Sequence, residues 1–157
     1  MKIFHDSRKT EYREPFGAVE AGSRIKIALR VECENARELI TGVQLRLWQD
    51  EKGEELVDMK PVRPGAKSRR AGGLAGDLLF ETTLQATCEG GLMWYFFKVA
   101  GQNEDGDFVL YYGNKDSKTG GEGVVKSDEP ESYQITVYKH QPVPQWFKDS
   151  VVYQIFP

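Results

Sequence analysis

Across residues 23–33 apolar and charged side chains alternate: Ile25, Ile27, Leu29, Val31 and Cys33 share one parity, Arg24, Lys26, Arg30 and Glu32 the other. Successive side chains of a β-strand point to opposite faces, so this period defines a strand with one dry and one wet face. A helix cannot satisfy it. The same rule holds at Val43, Leu45 and Leu47, with Gln44 and Arg46 outward, and the turn Asp50-Glu51-Lys52-Gly53 then returns the chain as a hairpin toward residues 55–60. Further strands are predicted at 78–86, 93–100, 107–112 and 132–138, each bounded by clusters such as Asn103-Glu104-Asp105-Gly106, with a first strand at 16–19 between Pro15 and Gly22. The most helix-like stretch, 35–40, amounts to one or two turns and runs into Thr41-Gly42. Seven to eight short antiparallel strands without helices predict an all-β fold, an immunoglobulin-like antiparallel β-sandwich, over residues 1–139.

The chain has 157 residues, 39% hydrophobic and 29% charged, enough for one core without metal or disulfide staples. A net charge of -3 argues against a nucleic-acid partner. The one basic cluster, Arg63, Lys67, Arg69 and Arg70, sits among Pro64, Gly65, Gly72 and Gly73 and reads as a solvated loop rather than a phosphate site. No apolar run approaches the ~20 residues that span a bilayer, and the first residues carry no export leader, so a soluble, cytoplasmic protein without a membrane partner is expected. There Cys33 and Cys88 are expected as buried free thiols rather than a bridge between two sheets.

Catalytic candidates are missing. Asp50, Glu51, Glu54, Glu55, Glu104, Asp105 and Asp107 occupy turns, where carboxylates are turn formers and surface charges. His5 and His140 have no Ser, Cys or metal-ligand partner at diagnostic spacing, and both are read as loop residues. The run Asn103-Glu104-Asp105-Gly106-Asp107 lacks the later bidentate Glu of a calcium loop and reads as a hairpin turn. No catalytic residue, metal or cofactor is predicted.

The aromatic residues say more. Trp48 is in phase with Gln44 and Arg46, so its indole falls on the polar face, where it either stacks a pyranose or packs under the following loop. In Leu92-Met93-Trp94-Tyr95-Phe96-Phe97-Lys98-Val99 both parities are aromatic, so the strand is covered on both faces. Lys98 marks the parity of Trp94 and Phe96 as the outer one, to be shielded by a neighbouring domain, a second subunit or a glucan. Tyr111 and Tyr112 point to opposite faces, so only one of them can meet a ligand while the other enters the core.

Beyond Tyr138 the composition changes. Residues 140–149 contain Pro142 and Pro144 and read as an extended linker, and residues 150–157 as an apolar strand that needs parallel neighbours on each side. The expectation is that the chain is the front of a longer protein. Trp146-Phe147-Lys148 followed by Val151-Val152-Tyr153-Gln154-Ile155-Phe156-Pro157 resembles the entry into the catalytic barrel of alpha-amylase family glycoside hydrolases, in particular the neopullulanase and cyclomaltodextrinase-like group. His5-Asp6-Ser7, Tyr12-Arg13, Pro15-Phe16-Gly17-Ala18-Val19, Tyr111-Tyr112-Gly113 and Tyr133-Gln134-Ile135-Thr136-Val137-Tyr138 are similar to the N-terminal β-sandwich that precedes such barrels.

The resemblance implies that residues 150–157 are the first strand of a (β/α)8 barrel, and that the parent cleaves or transfers α-glucosidic bonds by a retaining mechanism. Its aspartate nucleophile, glutamate acid/base and calcium ligands map to no residue of this sequence. The implied function is a noncatalytic accessory domain that packs on its own barrel or a second subunit and helps shape the substrate cleft. The alternatives are a starch- or glycogen-binding module, with an α-glucan as partner, and a dimerisation domain. Candidate contacts for sugar or docking are Trp48, Trp94, Phe96, Tyr111 and Tyr112.

Overall fold

The computed structural model describes residues 1–35, 37–50, 52–62, 69–70, 72–87 and 89–156, with Arg69 and Arg70 as backbone only. Cys88, Arg63 and Lys67 lie outside the described residues. The strands are β1 (Lys2–Phe4), β2 (Arg13–Glu14), β3 (Val19–Glu20), β4 (Arg24–Glu32), β5 (Leu39–Gln49), β6 (Gly53–Asp58), β7 (Lys60–Val62), β8 (Arg69–Arg70), β9 (Gly73–Leu74), β10 (Asp77–Gln85), β11 (Gly91–Asn103), β12 (Gly106–Gly113), β13 (Val124–Lys126) and β14 (Tyr133–Tyr138). One helical turn, α1 (Gln145–Lys148), follows them.

These strands make two sheets. The smaller runs β1-β4-β10-β7 with β2 also on β4, and the larger runs β13-β12-β11-β5-β9-β8 with β14, β3 and β6 attached. The all-β sandwich read from the alternation is what forms, with β5, β11 and β12 longer than expected and with additional strands of two or three residues beyond the seven or eight expected. One pairing, β14 with β3, is parallel.

The core is the two inner faces. Ile25, Ile27, Leu29 and Val31 of β4 meet Leu45, Met93, Phe97, Val99 and Ile135 of the larger sheet, all fully buried. Each such side chain contributes about 1.5–3 kcal/mol on burial. At Ala100/Gly101 the register of β11 on β5 shifts, and a Cβ at Gly101 would run into the Leu39 carbonyl oxygen and the Phe108 ring. Glycine is what lets the two strands approach at this bulge.

Several local expectations need correction. The stretch 35–40 has no helix among its described residues: the Asn35 side-chain oxygen accepts the backbone N–H groups of Arg37 and Glu38, and Leu39 already opens β5. An Asx turn competes with helix in this way. The strand expected at 16–19 is confined to Val19–Glu20, and Phe16 is 56% exposed. His5 lies in a connecting segment as expected, but that segment is flanked by strands: β1 and β2 lie along β4, pairing Ile3 with Val31 and Arg13 with Ile27. Cys33 is half-buried rather than buried.

Residues 139–144 have no regular structure, and α1 buries no residue. Residues 150–156 form no strand; the large apolar side chains among them, from Val151 to Phe156, are 71% to 87% exposed.

Candidate functional site

The outer face of the larger sheet carries one continuous row. Gln134 of β14 opposes Trp94 of β11, Trp94 opposes Trp48 of β5, and Trp48 opposes Glu54 of β6. Gln134, Trp94 and Trp48 sit on the outward parity of strands whose inward neighbours (Tyr133, Met93, Tyr95, Leu47) are buried, and the β5–β6 register adds Glu54 to the row. Opposed residues of an antiparallel pair have Cβ atoms about 4.5–5.5 Å apart, so the two tryptophans stand side by side on this face.

Arg46 organises the next row. Its guanidinium carbon lies 5.3 Å from the Trp48 ring centroid and 5.2 Å from that of Phe96, and its Nε and Nη2 donate to Glu54 Oε2 at 3.0 and 2.9 Å. A guanidinium over an aromatic face is attracted by the ring quadrupole, and the bond to Glu54 fixes its plane. Tyr111 closes the other side of Phe96 edge-on, at 6.0 Å between centroids.

The candidates therefore separate. Trp48 is 37% exposed and Trp94 half-buried, while Phe96 is only 3% exposed beneath Arg46 and Tyr111. Phe96 needs no outside partner to cover it, which removes it as a contact residue. Tyr111 is half-buried on the outer face at the edge of Phe96. Tyr112 is the tyrosine of the pair that enters the core, at 2% exposure, and it is withdrawn as a ligand contact. Its hydroxyl donates to the His5 carbonyl at 2.8 Å and accepts the Gly123 N–H at 2.9 Å, and burial pushes its pKa up.

Trp48 and Trp94 form one wall of a groove of about 930 Å³. Gln134, Thr136, Ser132 and Asn114 supply amides and hydroxyls along it, and Phe16, Arg13, Ser7 and Arg8 also line it. Arg13 is buried and donates from Nη1 to the Gln134 carbonyl and from Nη2 to the Gly17 carbonyl, so it ties β2 to β14 and to the turn that presents Phe16. Of the groove's acids, Glu131 pairs with Lys118 at 3.1 Å, and Asp50 sits beyond Trp48 at the strand end. Among the described residues no group of three His, Cys, Asp or Glu side chains is placed to hold a metal, and no helix is long and apolar enough to cross a membrane.

Gln134, Thr136, Arg46 and Arg13 were not candidates from the sequence. The outward parity of residues 134 and 136 in the predicted strand 132–138 was a usable signal for the first two. Arg13 and Ser7 carried none, because their place depends on where the N-terminal segment docks.

No family model matches the chain. The amylopullulanase of Thermoanaerobacter thermohydrosulfuricus is 29% identical over 154 residues, 98% of this chain. Those of Thermoanaerobacterium thermosulfurigenes and Thermoanaerobacterium saccharolyticum are 27% and 26% identical over the same length. The chain spans 9%, 8% and 11% of the length of these three relatives. Over nearly all of its residues the chain is thus similar to one short part of amylopullulanases.

Proposed function

We propose that this chain is a noncatalytic accessory module of a starch-active glycoside hydrolase, and that the Trp48–Trp94 groove is the face with which it holds an α-glucan chain beside the substrate cleft. The observation that carries the proposal is the row Gln134–Trp94–Trp48, two opposed indoles beside an amide, all three lining one open groove. Sugar recognition needs an apolar ring face for the C–H side of a pyranose and hydrogen-bonding groups beside it for the hydroxyls. The similarity to amylopullulanases supports an α-glucan as the sugar.

Protein docking is the competing use of this face, and the burial of Phe96 weighs against it. With Arg46 and Tyr111 over that ring, the surface lacks the flat apolar centre that a protein interface buries. A better docking element is the exposed apolar run from Trp146 to Phe156. It supports the division into a sandwich at 1–139, a linker at 140–149 and a first barrel strand at 150–157, with packing on the barrel through that last segment.

Affinity electrophoresis in soluble starch tests the groove. Retardation of the chain that is lost in Trp48→Ala supports it, and the absence of retardation in the unmodified chain refutes it. Turnover of maltooligosaccharides by the chain alone would overturn the noncatalytic assignment.

A further inference from the structure

His5 is fully buried among the rings of Tyr12, Tyr95, Phe97 and Tyr133, at centroid distances of 4.8 to 6.0 Å. Its Nδ1 lies 2.8 Å from the Ala28 carbonyl oxygen and its Nε2 3.0 Å from the Tyr95 hydroxyl. A carbonyl only accepts, so Nδ1 carries the proton, and Nε2 accepts from the Tyr95 O–H. The imidazole is held as one neutral tautomer between the two sheets, bonded to β4 through Ala28 and to β11 through Tyr95.

The backbone around His5 carries a wall of the groove. The His5 carbonyl accepts the Tyr112 hydroxyl, and Asp6 bridges to Glu122. Ser7 exchanges two bonds with Gly121, N–H to carbonyl at 3.1 Å and Gly121 N–H to Ser7 Oγ at 2.8 Å, and Arg8 Nη2 donates to the Thr119 carbonyl at 2.9 Å. Ser7, Arg8, Thr119 and Gly120 all line the groove that Trp48 and Trp94 line.

We propose that His5 is a proton-sensitive clasp: neutral, it holds the N-terminal segment and the groove wall it carries against the sandwich, and protonated, it releases that wall while the two sheets stay paired. A second proton would go to Nε2, turning it from acceptor to donor. Nε2–H and the Arg13 guanidinium, which also approaches Tyr95, would then converge on one phenol oxygen. Burial opposes the imidazolium first; Arg13 reinforces that opposition, and the Ala28 carbonyl and Asp6 work against it. The remaining groups facing the ring are the neutral phenols of Tyr12, Tyr95 and Tyr133, and Tyr112 reaches only its backbone carbonyl. The β4–β10 and β5–β11 ladders have their own register and depend on none of these bonds.

The consequence for a groove ligand rests on the function proposed above; the opening itself does not. The test is residue-resolved amide exchange by NMR between pH 7 and 4, without ligand, in a His140→Gln protein whose only imidazole is His5. The His5 signals are expected to titrate well below 6.5. Protection of the Ser7 and Gly121 amides should fall about tenfold per pH unit over that interval, independently of low urea, while Leu29 and Phe80 stay more protected and urea-sensitive. Titration of His5 near 6.5, constant protection of Ser7 and Gly121, or exchange of these two with the same urea slope as Leu29 overturns the clasp. A folded His5→Gln variant should lose the pH dependence, and its retention there also overturns the proposal; the His140→Gln measurement decides the matter if that variant does not fold. Maltoheptaose binding that weakens with the same midpoint links the clasp to the groove, whereas no binding at pH 7 counts against the groove alone.

Discussion

Trp48 and Trp94 are directly opposed on adjacent antiparallel strands, and Arg46, one outward position along β5 from Trp48, spans from that ring to Phe96. Arg46 lies over both rings, but Phe96 is also covered by Tyr111 and is 3% exposed, whereas Trp48 remains 37% exposed and lines the groove with Trp94.

Trp48→Ala should cost little stability and most of the binding. The ring is more than a third exposed, so its loss removes a cross-strand pair worth about 0.2–1 kcal/mol. Stacking of the kind lost with the indole is worth about 0.5–1.5 kcal/mol beyond buried area, so maltoheptaose affinity should fall about tenfold or more. Urea melts and calorimetric titration of the same preparations check both halves.

The two adjacent tyrosines should behave oppositely. Tyr112→Phe leaves the His5 carbonyl and the Gly123 N–H without their partner, a loss of about 2–4 kcal/mol in a denaturant melt. Tyr111→Phe keeps the ring against Phe96 and should melt within about 0.5 kcal/mol of the unmodified protein.

Gly101→Ala tests the bulge in β11. The added methyl meets the backbone carbonyl of Leu39, which cannot swing away like a side-chain end, so a loss of about 2 kcal/mol or more is expected. Gly42→Ala is the control, since a Cβ there has open space.

Stability should decline with acid in a specific window. Burial pushes His5 from 6.5 down to about 4 in the folded state. The unfolded chain therefore binds the proton first. The contribution is fully present above about 6.5 and is lost as pH falls toward about 4, at most about 3 kcal/mol in all. Urea midpoints at pH 7, 6, 5 and 4 measure it, and His5→Gln should decline less over the same range.

What the sequence disclosed follows from the range of each signal. Alternation is local, and it located β4, β5, β11 and β14, the outward Trp48 and the opposite fates of Tyr111 and Tyr112. Cross-strand register is not local. That Arg46 faces Phe96 follows only from how β5 slides along β11, so Phe96 was read as an exposed contact when it is covered. His5 and Arg13 lie in strands of two or three residues, or beside them, too short for any period. Their burial comes from docking on β4 and bonds to Tyr95 and Gln134, far along the chain. The Asx turn at Asn35 was hidden by helix-forming neighbours.

The most direct measurement of the groove's role uses the chain's three tryptophans as reporters. Indole N–H resonances followed during titration with maltoheptaose should show Trp48 and Trp94 shifting together to saturation while Trp146, in the exposed α1, stays still. No shift of the Trp48 and Trp94 signals at saturating sugar, or a shift of Trp146 alone, would contradict a glucan-holding role for this face.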